Sequence, residues 1–392
     1  MSATSAMTDN AMIYLDHSAT TPVEPRVFEA MEPYLTANFG NPSSIYRAGQ
    51  DVRRAVEQAR ERIAALLKAE PKEIIFTSGG TESDNTAIKG LALKKGGGHV
   101  VTTSIEHPAV LNVVKWLEKN GFTATYVPVG SDGVVDPDEV RKALRPDTLV
   151  VSVMHANNEV GTIQPIEEIA SIAKEAGVPF HTDAVQTAGK LPLNVEEMGI
   201  DLLSLSGHKF YGPKGIGVLY TAKGVRLEPC VHGGHQEWGK RGGTENVPGI
   251  VGLGKAAEIA MSEMEADDNR LRGLRDRLET GLAERISDVD FNGHRESRLS
   301  SVANVCVKYV EGEAMLLRLD YHGIAASSGS ACTSGSLEPS HVLLAMGIPA
   351  EIAHSSLRFS LGKDNTEEDI DKVLDLLPAI VEKLRAMSAF PR

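Results

Sequence analysis

The stretch TLVVSVMHANNEVGTIQPIEEIASIAKEAGVPFHTDAVQ, residues 148–186, holds two apolar runs, TLVVSVMHA and VPFHTDAV, on either side of a helically spaced segment, IEEIASIAKEAG. Neither run alternates polar with apolar residues, the mark of strands buried on both faces. Outward from it the same rhythm repeats between about Glu73 and Thr221. EIIFTS precedes ESDNTAIKGLALKK, HVVTTS precedes PAVLNVVKWLEKNG, and DLLSLS and GIGVLYT follow. The pattern predicts an α/β fold, a mostly parallel sheet wrapped by helices. In such sheets ligands gather beyond the carboxyl ends of the strands. The polar residues at those ends are therefore the first candidates for function.

After about Lys255 the pattern changes. A long charged helix, MSEMEADDNRLRGLRDRLETGLAERI, is followed by a strand, VANVCVKYV, and by a terminal helix opened by TEED. In the last helix Ile370, Val373, Leu374, Leu377, Val381 and Leu384 recur at helical spacing, with Thr366 as the expected N-cap. This predicts a second, α+β domain. The division expected is 16–259 for the large domain, with 1–15 and 260–392 forming the small one.

The 392 residues suffice for about two domains. A formal net charge of −13 disfavours an extended nucleic-acid surface, which needs clustered Lys and Arg. Three cysteines far apart, Cys230, Cys306 and Cys332, suggest neither a disulfide framework nor a thiolate metal cage, and fit a reducing cytosol. The N-terminal MSATSAMTDNAM lacks the features of a secretory or organelle leader, and no apolar run approaches the roughly 20 residues that cross a bilayer. A soluble, cytoplasmic protein is expected.

The strand ends carry the chemistry. Lys209, in SGHKFYGPKG, follows DLLSLS directly. Desolvated there, its amine becomes a nucleophile able to form a Schiff base; a helix-capping or ion-paired lysine is the plainer alternative. Asp183 ends VPFHTDAVQ and, if buried, needs a cationic partner, which a protonated pyridine nitrogen supplies. It reads equally well as the N-cap of the next helix. Gln186 lies three residues on, within reach of a ring oxygen. In TSGGTESDN, Gly79, Gly80 and Thr81 offer backbone N–H groups to a phosphate at a helix N-terminus, without Walker spacing. His107, in EHPAV, can stack on a planar ring or serve a structural role. Cys230, His232 and His235 are closely spaced, but no fourth metal ligand stands nearby. Arg358, in SLRFSLG, can bind a carboxylate through two parallel hydrogen bonds or form an ordinary ion pair. The run SSGSACTSGS, Ser327 to Ser336, sets Cys332 among small residues that cannot pack, as expected of an exposed, mobile loop spanning about 326–338.

Taken together, YLDHSATTP at Tyr14, GNPSS, SGGTESDN, EHPAV, HANNEVGTIQP, HTDAVQ, SGHKFYGPKG, RGGTEN, SSGSACTSGS and SLRFSLG occur in order along nearly the whole chain. The sequence resembles the cysteine desulfurases of the NifS and IscS type, in the class V branch of fold type I pyridoxal-phosphate enzymes. That resemblance implies an aspartate-aminotransferase-like fold whose large domain holds a mostly parallel seven-stranded sheet. It implies pyridoxal 5'-phosphate as cofactor, L-cysteine as substrate and L-alanine as product, with sulfur left on the enzyme as a persulfide. Lys209 matches the cofactor lysine, Asp183 the partner of the pyridine nitrogen, and His107 the stacked ring. Gln186 and Asn158 match groups beside the phenolic oxygen, and Gly80, Thr81, Ser206 and His208 the phosphate cup. Thr244 matches a residue supplied from the other subunit of a homodimer, Arg358 the clamp on the substrate carboxylate beside Asn158, and Cys332 the persulfide-forming thiol. A protein sulfur acceptor, such as an iron–sulfur scaffold, follows from the same likeness; a metal of the enzyme's own does not. The family's usual GGGQE reads GGHQE here, with His235 in place of glycine, and RSGTEN or RPGTEN reads RGGTEN. A class V aminotransferase and a selenocysteine lyase are the nearest alternatives, and a non-catalytic sulfur carrier a third.

Overall fold

The computed structural model describes residues 12–328 and 338–387. A short strand β1 (Ile13–Tyr14) leads to helices α1 (Pro25–Leu35) and α2 (Arg47–Leu67). Strand and helix then alternate: β2 (Ile74–Thr77), α3 (Gly80–Lys95), β3 (His99–Thr103), α4 (Pro108–Lys119), β4 (Thr123–Val127), α5 (Pro137–Ala143), β5 (Thr148–Ser152), α6 (Ile166–Glu175) and β6 (Phe180–Asp183). Strands β7 (Leu202–Ser206) and β8 (Gly217–Thr221) complete one sheet of seven, in the order β2-β8-β7-β6-β5-β3-β4. Only β8 pairs antiparallel to its neighbours; β7, β6, β5, β3 and β4 run parallel to one another. The mostly parallel seven-stranded sheet that the sequence implies is what forms. Strands β2, β3, β7 and β8 are buried along their whole length, as their Val-, Ile- and Leu-rich runs require.

Helix α7 (Val247–Arg285) is a single helix of 39 residues. Its first turns join the apolar cluster that includes Val56, Ile63, Leu203 and Leu253, and its second half joins another built on Leu274, Leu278, Leu282, Val305 and Phe359. The boundary expected at 259/260 therefore falls inside one continuous helix. Beyond it come β9 (Val289–Asn292), β10 (Val302–Val307), α8 (Gly312–Tyr321), β11 (Ile324–Ala325), α9 (His341–Ala345), α10 (Ala350–Ala353), β12 (Ser356–Ser360) and α11 (Glu367–Met387). Strands β12, β10 and β9 form an antiparallel sheet, and β1 pairs parallel with β11. Thr366 caps α11 as expected, its hydroxyl accepting from the Asp369 N–H at 3.3 Å. Among the described residues no helix is long and apolar enough to cross a membrane.

Candidate active site

Because β2, β3, β5, β6 and β7 all run the same way, their carboxyl ends meet along one edge of the sheet. Each end delivers one group of the site. Strand β2 ends in a turn where Gly79 has φ 153° and α3 starts at Gly80. A Cβ on Gly80 would meet Val185 Cγ2 at 2.7 Å, so only glycine lets the turn lie this close to the chain after β6. The N–H groups of Gly80 and Thr81 belong to the first turn, which no helix can satisfy from within. Ser206, at the end of β7, faces the same turn, its Oγ 3.7 Å from where a Gly79 Cβ would stand.

His107 follows β3 and caps α4, its Nδ1 accepting from the Ala109 N–H at 3.1 Å. Burial, foremost, lowers its basicity. Asp183 ends β6, is 6 % exposed, and accepts from the Val185 N–H at 2.9 Å. Burial pushes its carboxyl up, while His107 and Lys209 pull it back. Behind it lie two more buried acids. Asp84 on α3 is held well above the carboxylate range by burial and by Asp183. Glu106 is pushed up to about 8 by burial, although it accepts from the Met154 N–H and the Thr103 hydroxyl.

Lys209 closes the turn after β7. Its Nζ donates to the carbonyl oxygens of Ser18 (2.5 Å) and Ala19 (2.8 Å). His208 bonds Thr20 Oγ1 through Nδ1 at 3.1 Å, and burial with nearby lysines lowers it to about 4, so its ring is neutral near pH 7. Gln186 donates to Ser18 O at 3.0 Å, leaving its buried Oε1 without a partner. The N-terminal segment 14–24 thus runs as a strap across the site, and the same strap reaches Arg358. That side chain, on β12 and 2 % exposed, donates from Nη1 to Asn158 O (3.0 Å) and from Nη2 to Asp16 Oδ1 (2.8 Å), while its buried Nε has no partner. The backbone of Arg358 pairs with Ser327, just before the cysteine-bearing run.

The structure therefore brings Gly80, Thr81, His107, Asn158, Asp183, Gln186, Ser206, His208 and Lys209 to one sheet edge, with Arg358 tied to it through Asn158 and Asp16. Thr244 stands exposed in the loop before α7. Cys332 lies outside the described residues. Sequence reasoning missed Asp16 and the strap carbonyls, whose partners lie far away in the chain. It also missed Lys190, which burial, Lys209 and Arg358 bring down to about 7. Lys190 lines a cavity of about 50 Å³ on one side of Lys209, together with His17 and Tyr211. A wider cleft of about 700 Å³ between Asp290 and Ile352 contains none of the site residues.

Pyridoxal phosphate fits this set. A buried carboxylate ends β6, the amide oxygen of Gln186 three residues on is orphaned, a glycine cradle opens on a helix N-terminus, and an arginine holds an unpartnered N–H. The model of the class-V aminotransferase family matches residues 13–373. The chain belongs to the class-V family. Within it, the chain is 55% identical to the cysteine desulfurase IscS of Dictyoglomus turgidum over 96% of both chains. It is 57% identical to the IscS of Methanosarcina thermophila over 97% of this chain and 95% of that one. Among solved structures, a NifS-like protein at 41% identity superposes with a TM-score of 0.90 over 95% of this chain and 100% of that chain. SspA in complex with cysteine, at 42% identity, gives 0.81 over 89% and 98%. The class-V fold and its dependence on pyridoxal phosphate are thereby shared by this protein.

Proposed function

We propose that this protein is a cysteine desulfurase that converts L-cysteine to L-alanine and passes the sulfur to Cys332 as a persulfide. The observation that carries the reading is the arrangement of three groups. Lys209 and the buried Asp183 stand on neighbouring strand ends, and a buried Arg358 with an unpartnered Nε is strapped to the same edge. When bound, pyridoxal phosphate supplies an aldehyde that captures amines and a protonated ring that draws electrons from Cα.

The chain's own residues do the rest. Gly80, Thr81, Ser206 and His208 hold the phosphate, joined by the partner subunit's Thr244 in a homodimer. Asp183 holds the charge of the ring nitrogen, with His107 against the ring and Gln186 and Asn158 at its oxygen. The unpaired N–H of Arg358 takes the substrate carboxylate, which fixes Cα over Lys209. Lys209, close to Lys190, takes the Cα proton and later returns it. Cys332, as thiolate, attacks the substrate sulfur: an S–S bond forms, the Cβ–S bond breaks, and its electron pair is quenched by a proton as alanine leaves. Cβ gains two electrons and the two sulfurs of the new S–S bond lose one each, so no outside redox partner is needed to form the persulfide. Support for Cys332 comes from Ser327, whose backbone is paired with Arg358. Ser327 lies five residues before Cys332 in the chain. Release of the sulfur to a protein acceptor, such as an iron–sulfur scaffold, and a cytosolic setting complete the reading.

The test is stoichiometric. With L-cysteine and a thiol reductant, the protein should release sulfide and alanine in equal amounts. K209A should form neither, and C332A should keep its cofactor yet lose sulfide. Alanine without sulfide from the unaltered protein, or full sulfide release by C332A, would refute the assignment.

A further inference from the structure

Arg358 is tied to an acid contributed by the other end of the chain. Asp16 and Arg358 are 342 residues apart, yet Asp16 Oδ1 accepts from Nη2 at 2.8 Å. The backbone fixes this contact. Asp16 bridges Ser360, two residues beyond the arginine; the His17 N–H donates to Ser360 O at 3.1 Å and the Ser360 N–H to Leu15 O at 2.8 Å. The Tyr14 hydroxyl, at 3.1 Å, holds the Asp16 carbonyl. Of the acids near the guanidinium, Asp16 alone among the described residues is at ion-pair distance; the buried Glu159 instead receives the Ser340 hydroxyl.

A guanidinium has five N–H donors in one plane. With Nη1 on Asn158 O and Nη2 on Asp16, the plane is held at two points, and the buried Nε is left without a partner. We propose that Asp16 is a positioning residue that orients Arg358 for the carboxylate of the amino-acid substrate, a deduction that rests on reading Arg358 as the carboxylate clamp. Without Asp16 the guanidinium would keep one anchor and lose the counter-charge that makes its burial tolerable. Substrate would then have to fix the plane as it binds, which weakens binding before it slows chemistry. The same strap gives Lys209 its two carbonyl partners, Ser18 and Ala19, so carboxylate clamp and amine are aligned by one short segment.

The experiment compares D16A, D16N and R358K in the cofactor-loaded protein. It uses KM and kcat for L-cysteine and the affinity for L-alanine by calorimetry, which involves no turnover. D16A should raise KM roughly tenfold or more, with kcat moved much less, and should weaken alanine binding by a similar factor. D16N keeps an oxygen acceptor without the charge, and its smaller rise should restore most of the affinity. R358K should weaken both measures at least as much. If R358K is impaired while D16A binds both amino acids as the unaltered protein does, Asp16 does not position the arginine, and the clamp survives. If R358K changes neither measure, the clamp itself is wrong and the proposal falls with it. Should D16A fail to fold, D16N decides: a measurable loss of alanine affinity supports the role, and none overturns it.

Discussion

At the scale of single residues, the site is a set of charges kept unusual by burial. Glu106 is fully buried and pushed up to about 8 from an ordinary 4.5. For an acid raised in the folded state, the stabilising contribution is full below the unfolded value and is lost as pH rises through the folded one. Wild type should therefore lose stability relative to E106Q between about pH 5 and pH 8, by about 3 to 5 kcal/mol in all. Urea unfolding of both proteins at the two ends of that window checks the sign, and parallel pH profiles would contradict it. The positions of Lys209 and Asp183 at the carboxyl ends of β7 and β6 were legible in the sequence because each lies at the end of a strand-like run. Asp16 and Lys190 were not. The partner of Asp16 lies 342 residues away, and Lys190 is placed beside Lys209 by a left-handed Gly189, φ 73°, whose missing side chain lets Phe210 pack at under 3 Å from a Cβ position.

At the scale of elements, the loop that carries Thr244 is built on a buried ion pair. Arg60 on α2 donates to both Glu237 oxygens at 2.8 and 2.9 Å, and both side chains are almost fully buried. The guanidinium lies between the rings of Phe76 and Trp238, 4.7 and 4.6 Å from their centroids. Glu237 also accepts from the Phe76 N–H, which ties the loop to β2 although Glu237 and Trp238 both have positive φ. R60A should cost about 3 to 5 kcal/mol, because it strands a buried carboxylate, whereas R60M/E237M should cost less. Denaturant unfolding ranks the two, and equal losses would show that the pair acts only by packing. The start of α7 shows why elements were partly hidden in sequence. The expected helix began after Lys255, but it begins at Val247, through PGIVGLG. Glycine is a poor helix former, yet Gly252 lies against Met31 and Gly254 against Ala59, each where a Cβ would meet an atom at 2.5 to 2.6 Å. Close helix packing, which a single sequence does not display, outweighs propensity there.

At the scale of the whole molecule, α7 passes from one apolar cluster to the other, and the strap returns from β12 to Lys209, so both halves of the chain contribute to one site. Thr244 is exposed in the single chain, in keeping with a residue given to a second copy. If each site draws its phosphate contact from the partner subunit's Thr244, K209A and T244A chains should complement. Mixed dimers contain one site with both residues intact, so mixing should restore cofactor-dependent sulfide release that neither parent shows alone. No gain after subunit exchange would place Thr244 outside the site. This arrangement is an expectation carried by family likeness alone, since no spacing within one chain reveals a contact made between two.

The most direct measurement is the mass of the cysteine-bearing peptides after the loaded protein meets L-cysteine without reductant. One added sulfur atom is expected on the peptide containing Cys332 for each alanine formed, with the peptides of Cys230 and Cys306 unchanged. Alanine accumulating while Cys332 keeps its original mass, or sulfur found on either of the other two thiols instead, would contradict it.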